Sequence, residues 1–230
     1  MSERRQGSGD EQKMEHRYIV VEGPIGVGKT TLTHLLTERF QGRRVLEVVE
    51  ENPFLSNFYE DRDKYGFQTQ IFFLLSRFRQ QQELFQQELF SRLTVSDYLF
   101  AKDRIFAQLN LDTNELSLYD RVYDELGTRV AKPDLVIYLQ ARLDVLLARI
   151  RKRGREFERQ FDAAYLTSLV ESYNRFFHTY RDTPLLWVDT SELDFVSNEE
   201  HQEQIIRVIN ETREGVRYWP GSFAPRPPGG

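Results

Sequence analysis

The sequence predicts an α/β fold, a parallel sheet of five strands with helices on both faces. Two features carry that prediction. Short continuous apolar runs, as in strands buried on both sides, alternate along the chain with longer stretches whose apolar residues recur every three or four positions. Parallel strands need such crossover helices between them. The second feature is local. The apolar run Tyr18–Val21 leads directly into Gly23-Pro24-Ile25-Gly26-Val27-Gly28-Lys29-Thr30, followed by Thr31 and an amphipathic stretch. This is G-x-x-x-x-G-K-[ST] between a strand and a helix, the context in which that string forms a phosphate-binding loop. Together they predict a three-layer fold of the P-loop NTPase type.

Composition narrows the class. The chain has 230 residues, 40% of them hydrophobic, enough for one substantial core. Its net charge of −5 argues against nucleic acid as a partner. The absence of cysteine excludes disulfides and thiolate-bound zinc, and fits a reducing cytoplasm. No apolar run approaches the roughly 18 residues of a membrane span. Residues 1–16 are polar, lack the apolar centre of a secretory signal and read as a disordered lead. Residues 215–230, rich in Pro and Gly, read as a flexible tail, which leaves 17–214 as one domain.

In chain order, the phosphate loop opens a helix to about Phe40, stopped near Gly42. The loop glycines let backbone N–H groups ring a phosphate. Lys29 adds charge at the β- and γ-phosphates, and the Thr30 hydroxyl can ligate Mg²⁺. Arg44–Val49 reads as the second strand and ends among Glu47, Glu50 and Glu51. Acids at the carboxyl end of a strand in such a sheet are candidate bases or metal contacts. A long helix follows from Gly66 to about Phe90. Phe67, Ile71, Leu74, Leu75 and Phe78 form its apolar stripe, and Gln70, Phe73 and Arg77 a polar-edged column beside it. An amide and a guanidinium flanking an aromatic ring can read the edge of a stacked base.

Leu93–Ser96 reads as the third strand, ending at Asp97, where a carboxylate beside a phosphate loop can hold Mg²⁺. Helices are predicted from Tyr98 to Gln108 and from Leu111 to about Val130, with a strand over Asp134–Gln140. The helix from Arg142 to Arg153 ends in a burst of cations, Arg149, Arg151, Lys152, Arg153 and Arg155. Guanidinium groups bind phosphate oxygens in pairs, so Arg149, Arg153 and Arg155 are read as a lid over the transferring phosphoryl, spanning about 149–161. A helix over Asp162–Tyr180, a fifth strand over Pro184–Val188 and a helix from Asn198 to about Thr212 complete the domain. The four histidines are scattered and show no metal-ligand spacing.

Several of these strings together resemble the deoxynucleoside kinase family, in particular the bacterial deoxyguanosine and deoxyadenosine kinases. They are EGPIGVGKTT from Glu22, EVVEENPFLSNFY from Glu47, FQTQIFFLLSRFRQQ from Phe67, SDYLFAKDRIFA from Ser96 and RIRKRGR from Arg149. The resemblance covers roughly Tyr18–Tyr180. It implies that Glu47 is the general base, with Glu50 a rival three residues on, because Val48 stands where the family has Pro. It places Tyr59 against the deoxyribose 3′-hydroxyl, Gln70, Arg77 and Asp103 at the nucleobase, and Asp97 with Thr30 at Mg²⁺. The family arginine after the strand-end acid is Tyr98 here. The resemblance further implies ATP or another triphosphate as donor, a homodimer and feedback inhibition by a deoxynucleoside triphosphate.

The predicted activity is transfer of the γ-phosphate of ATP to the 5′-hydroxyl of a deoxynucleoside, purines first and deoxycytidine also, in nucleotide salvage. Asp103 would face O4 of thymine acceptor against acceptor, which disfavours thymidine. A monophosphate kinase of thymidylate type would share loop and lid but need a further cation for its acceptor. A GTP-dependent switch would need N-K-x-D and D-x-x-G strings, which the chain lacks. A non-catalytic nucleotide-binding regulator is the remaining alternative.

Overall fold

A computed structural model describes residues 14–49, 51–87, 92–154, 163–195 and 197–221. Side chains are described for these residues except 84–87. Glu50 and Arg155, named above, lie outside the described residues.

Six strands form one parallel sheet in the order β2-β3-β1-β4-β5-β6. They are β1 (Tyr18–Glu22), β2 (Arg43–Val45), β3 (Thr94–Ser96), β4 (Leu135–Gln140), β5 (Leu185–Asp189) and β6 (Val216–Trp219). Every residue of β1 is buried, and so are the first five of β4, which explains their unbroken apolar runs. In register, Ile19 lies beside Val95 on one side and Leu135 on the other. The carboxyl ends of β1, β2 and β3 therefore open on one crevice.

The helices are α1 (Lys29–Arg39), α2 (Leu55–Glu60), α3 (Arg62–Gln87), α4 (Lys102–Asn110), α5 (Thr113–Gly127), α6 (Leu143–Arg153), α7 (Ala163–Thr179) and α8 (Glu199–Glu211). Asp112 starts α5 with a reciprocal capping box to Glu115. Gly154, at φ 70°, ends α6 in the left-handed conformation that favours glycine. The main core packs around the sheet. A second, smaller one joins Leu74 of α3 to Ala107 of α4 and Tyr119 of α5.

Four expectations change. The sheet has a sixth strand. Val216–Trp219, bracketed by Gly215 and Pro220, is short enough to pass for tail, yet it pairs with Leu185–Val188. Met14 and His16, expected within a disordered lead, are buried, and His16 Nε2 bonds the Ile209 carbonyl at 3.2 Å. Strand β2 ends at Val45, so Glu47 stands on coil beyond the sheet. The helix expected from Tyr98 starts at Lys102. Residues 98–101 turn first, held as Leu99 N–H donates to Glu22 Oε2 at 2.7 Å.

Candidate active site

Gly23, Gly26 and Gly28 take φ of 150°, 84° and 108°, a region closed to most side chains. A Cβ at Gly23 would sit 2.3 Å from the Leu139 carbonyl oxygen, so the loop can pass over β4 only as glycine. Glu22, fully buried at the end of β1, braces the loop from below. Its carboxylate accepts from Gly23 N–H at 2.8 Å and from the Tyr173 hydroxyl at 3.1 Å, besides Leu99. Lys29 Nζ donates to the Gly23 carbonyl at 2.7 Å. Burial, then the nearby Lys102 ammonium, pull the Lys29 ammonium below its ordinary range.

Beyond the loop lies a cavity of about 840 Å³. Ile25–Thr31 line its phosphate end, while Gly23 and Pro24 stand behind and offer their carbonyls to Lys29. Thr30 Oγ1 donates to Asp97 Oδ2 at 2.8 Å, and Asp97 Oδ1 accepts from Glu47 N–H at 2.8 Å. One carboxylate thus ties the phosphate loop to the coil that carries Glu47. Thr30 and Asp97 present two hard oxygen ligands side by side, a donor set that suits Mg²⁺. Among the described residues no group of three or more His, Cys, Asp or Glu could hold a metal. An ion at Thr30 and Asp97 would therefore need oxygens from a bound phosphate or water as well.

Glu47 lines the cavity away from the loop and is the centre of a cluster of charges. Oε1 pairs with Arg77 Nη2, and Oε2 with Lys102 Nζ at 2.6 Å. Burial alone would raise its carboxyl, but the Arg77 and Lys102 charges outweigh that and hold it far below the usual carboxylate range. Arg77 also pairs through Nη1 with Asp103, and its guanidinium lies 4.8 Å from the Phe73 ring centroid. Burial alone would lower the Arg77 pKa, but the Glu47 charge more than offsets it and raises that pKa further.

Gln70, Phe73 and Arg77, predicted as one column, line the cavity together, and Tyr59 reaches it from α2. Asp103 does not. It is fully buried and pairs with Arg77. A donor and an acceptor for a base edge remain on the Gln70 amide. Tyr98 also turns away from the cavity, into the core. Arg149 and Arg153 line the cavity at the far end of α6. Arg149 is already engaged, donating to the Thr190 carbonyl at 2.8 Å, to its hydroxyl at 3.0 Å and to the Val27 carbonyl at 3.2 Å. It clamps the phosphate loop to the segment after β5.

The sequence reading passed over Glu22 and Lys102. The signal for the first was an acid inside an apolar strand. For the second it was a lysine four residues beyond the position where Tyr98 replaces an arginine.

The family model described as deoxynucleoside kinase matches residues 19–213. The chain is 35% identical over 199 residues to a deoxyguanosine kinase of Bacillus subtilis (strain 168), covering 84% of this chain and 96% of that protein. It is 32% identical over 207 residues to a deoxyadenosine kinase of Lactobacillus acidophilus, covering 84% and 94%. Among solved structures, a deoxyadenosine kinase from M. mycoides with bound dCTP superposes with a TM-score of 0.72 at 27% identity, covering 84% of this chain and 99% of that one. The same enzyme with products dCMP and a flexible dCDP gives 0.74 at 28%, with the same coverage.

Proposed function

As the chain belongs to the deoxynucleoside kinase family, we propose that it transfers the γ-phosphate of ATP to the 5′-hydroxyl of a deoxynucleoside, deoxyguanosine or deoxyadenosine first and deoxycytidine second. The observation that carries this reading is the chain of bonds Thr30–Asp97–Glu47, which sets a carboxylate held by two cations across one cavity from the phosphate loop.

Nucleotide phosphates bind Gly26–Thr31, where backbone N–H groups and the start of α1 favour anions. Bound there, Mg²⁺ would neutralise phosphate charge, with Thr30 and Asp97 as its protein oxygens. Glu47 takes the 5′-hydroxyl proton. Lys29, Arg153 and Arg155 stabilise charge on the transferring phosphoryl, while Arg149 fixes the phosphate loop. Because the transition state is loose, positioning and electrostatics supply most of the acceleration. Tyr59 meets the deoxyribose, Phe73 carries the base, and Gln70 with Arg77 reads its edge. Asp103 acts through Arg77.

A monophosphate acceptor would need a cation for its own phosphate. Arg77 is committed to two carboxylates and Arg79 faces outward, which favours the nucleoside. The family resemblance implies a homodimer through two long helices, and the exposed Leu75 on α3 (41%) agrees with it. Among the described residues no helix is long and apolar enough to cross a membrane. We place the enzyme in the cytoplasm, in nucleotide salvage, under feedback by a deoxynucleoside triphosphate of the kind bound in the M. mycoides enzyme.

The test is turnover of labelled ATP with deoxyguanosine, deoxyadenosine, deoxycytidine, thymidine and their monophosphates. Transfer to deoxyguanosine or deoxyadenosine, the nucleosides named for the relatives, is the expected result. Transfer only to monophosphates would overturn the acceptor and the role of Glu47.

A further inference from the structure

Position 98 carries no charge in this chain, and its tyrosine side chain is buried away from the cavity. A cation nevertheless stands beside Glu47. The turn over residues 98–101, pinned to Glu22, delays α4 so that Lys102 is its first residue. From there the side chain crosses to the carboxylate. Lys102 is 3% exposed, lines the cavity with Lys29 and Arg153, and puts Nζ 2.6 Å from Glu47 Oε2. It is close enough to the phosphate loop to disfavour the charged form of Lys29.

We propose that Lys102 is a catalytic residue, the cation that holds Glu47 toward the acceptor and bonds the oxygens of the transferring phosphoryl. The proposal rests on the kinase reading. An ammonium has three donors, and the bond to Glu47 uses one of them. In the reaction the O5′–Pγ bond forms while the bond from Pγ to the bridging oxygen breaks. ADP leaves with that electron pair, and the hydroxyl proton passes to Glu47. Negative charge then gathers between Glu47 and Lys29, where Lys102 stands. Lysine suits this place better than arginine would, because a compact charge on a flexible stem can follow oxygens that shift during transfer. Arg77, fixed between Glu47 and Asp103, has no such freedom.

The experiment compares wild type, Lys102→Met, Lys102→Arg and Lys102→Ala with ATP and whichever deoxynucleoside the wild type turns over. Binding of that nucleoside is measured separately by calorimetry, without ATP. Lys102→Met is expected to lose about 10²–10³-fold in kcat while nucleoside affinity changes only a few-fold. Lys102→Arg should recover part of kcat, and added methylamine should partly restore Lys102→Ala. Near-normal kcat in Lys102→Met would overturn the assignment and leave the kinase reading intact. Absence of transfer by wild type to any deoxynucleoside would overturn both. If Lys102→Met does not fold, Glu47→Gln is compared with Glu47→Gln/Lys102→Met, in which no charge is left unpaired. A further fall of about tenfold or more supports a direct role, and equal rates overturn it.

Discussion

At the phosphate end of the cavity the backbone polar groups belong to one unbroken stretch, Ile25–Thr31, with Arg149 and Arg153 joining from α6. At the acceptor end Glu47, Arg77, Lys102 and Asp103 arrive from a coil and two helices. The first end works through peptide N–H groups and the start of α1, with the side chains of Lys29, Thr30, Asp97 and Arg153 added to a shape the backbone sets. The second is a buried network of two cations and two carboxylates. Its parts compensate one another, and removing one leaves its partner unpaired where water cannot help. The same anion chemistry is thus met by geometry at one end and by charge balance at the other.

The largest effect should come from Glu47→Gln, which keeps the shape of that end and removes the proposed base. We expect kcat to fall about 10²–10⁴-fold in steady-state assays, with modest change in KM. Near-normal turnover would move the base to Glu50. Next is Asp103→Leu, which leaves Arg77 short of one partner and should cost about 3–5 kcal/mol in urea unfolding. Asp103→Leu/Arg77→Leu should cost less than the two single changes together, by about 1 kcal/mol or more. Additivity would mean the acceptor end is not one network.

At the phosphate end the matching test is Gly23→Ala. A positive φ and a methyl group 2.3 Å from the Leu139 oxygen should together cost on the order of 3 kcal/mol. Binding of an ATP analogue should weaken in parallel. Thr31→Ala, in the same loop, should change little, because its backbone does the work. Indifference to Gly23→Ala would break the contrast.

The smallest effect concerns buried phenols away from the cavity. Burial pushes Tyr123 and Tyr180 up to about 12, and Tyr98 and Tyr119 higher still. The folded state keeps these protons while an unfolded tyrosine loses its own near pH 10. Their contribution to stability is therefore full below about pH 10 and is lost as pH rises through 12. The part of the tyrosinate absorbance that belongs to these buried phenols should rise only together with loss of helical circular dichroism, after the more exposed Tyr59, Tyr65 and Tyr218.

The sequence by itself determined the phosphate end, the alternation of strands and helices, and the column Gln70–Phe73–Arg77. Each of these is local. A motif read in order, an unbroken apolar run or a helical spacing needs only neighbouring residues to be recognised. Tertiary structure alone decided the rest. It hid Asp103 behind Arg77, turned Tyr98 inward, engaged Arg149 on backbone carbonyls, brought Lys102 to Glu47 and added β6 to the sheet edge. The reason is that burial and charge pairing are relations between segments distant in the chain. Lys102 and Glu47 are separated by 55 positions, and no spacing rule links them. Only the delayed start of α4 and the early end of β2 bring their charges together.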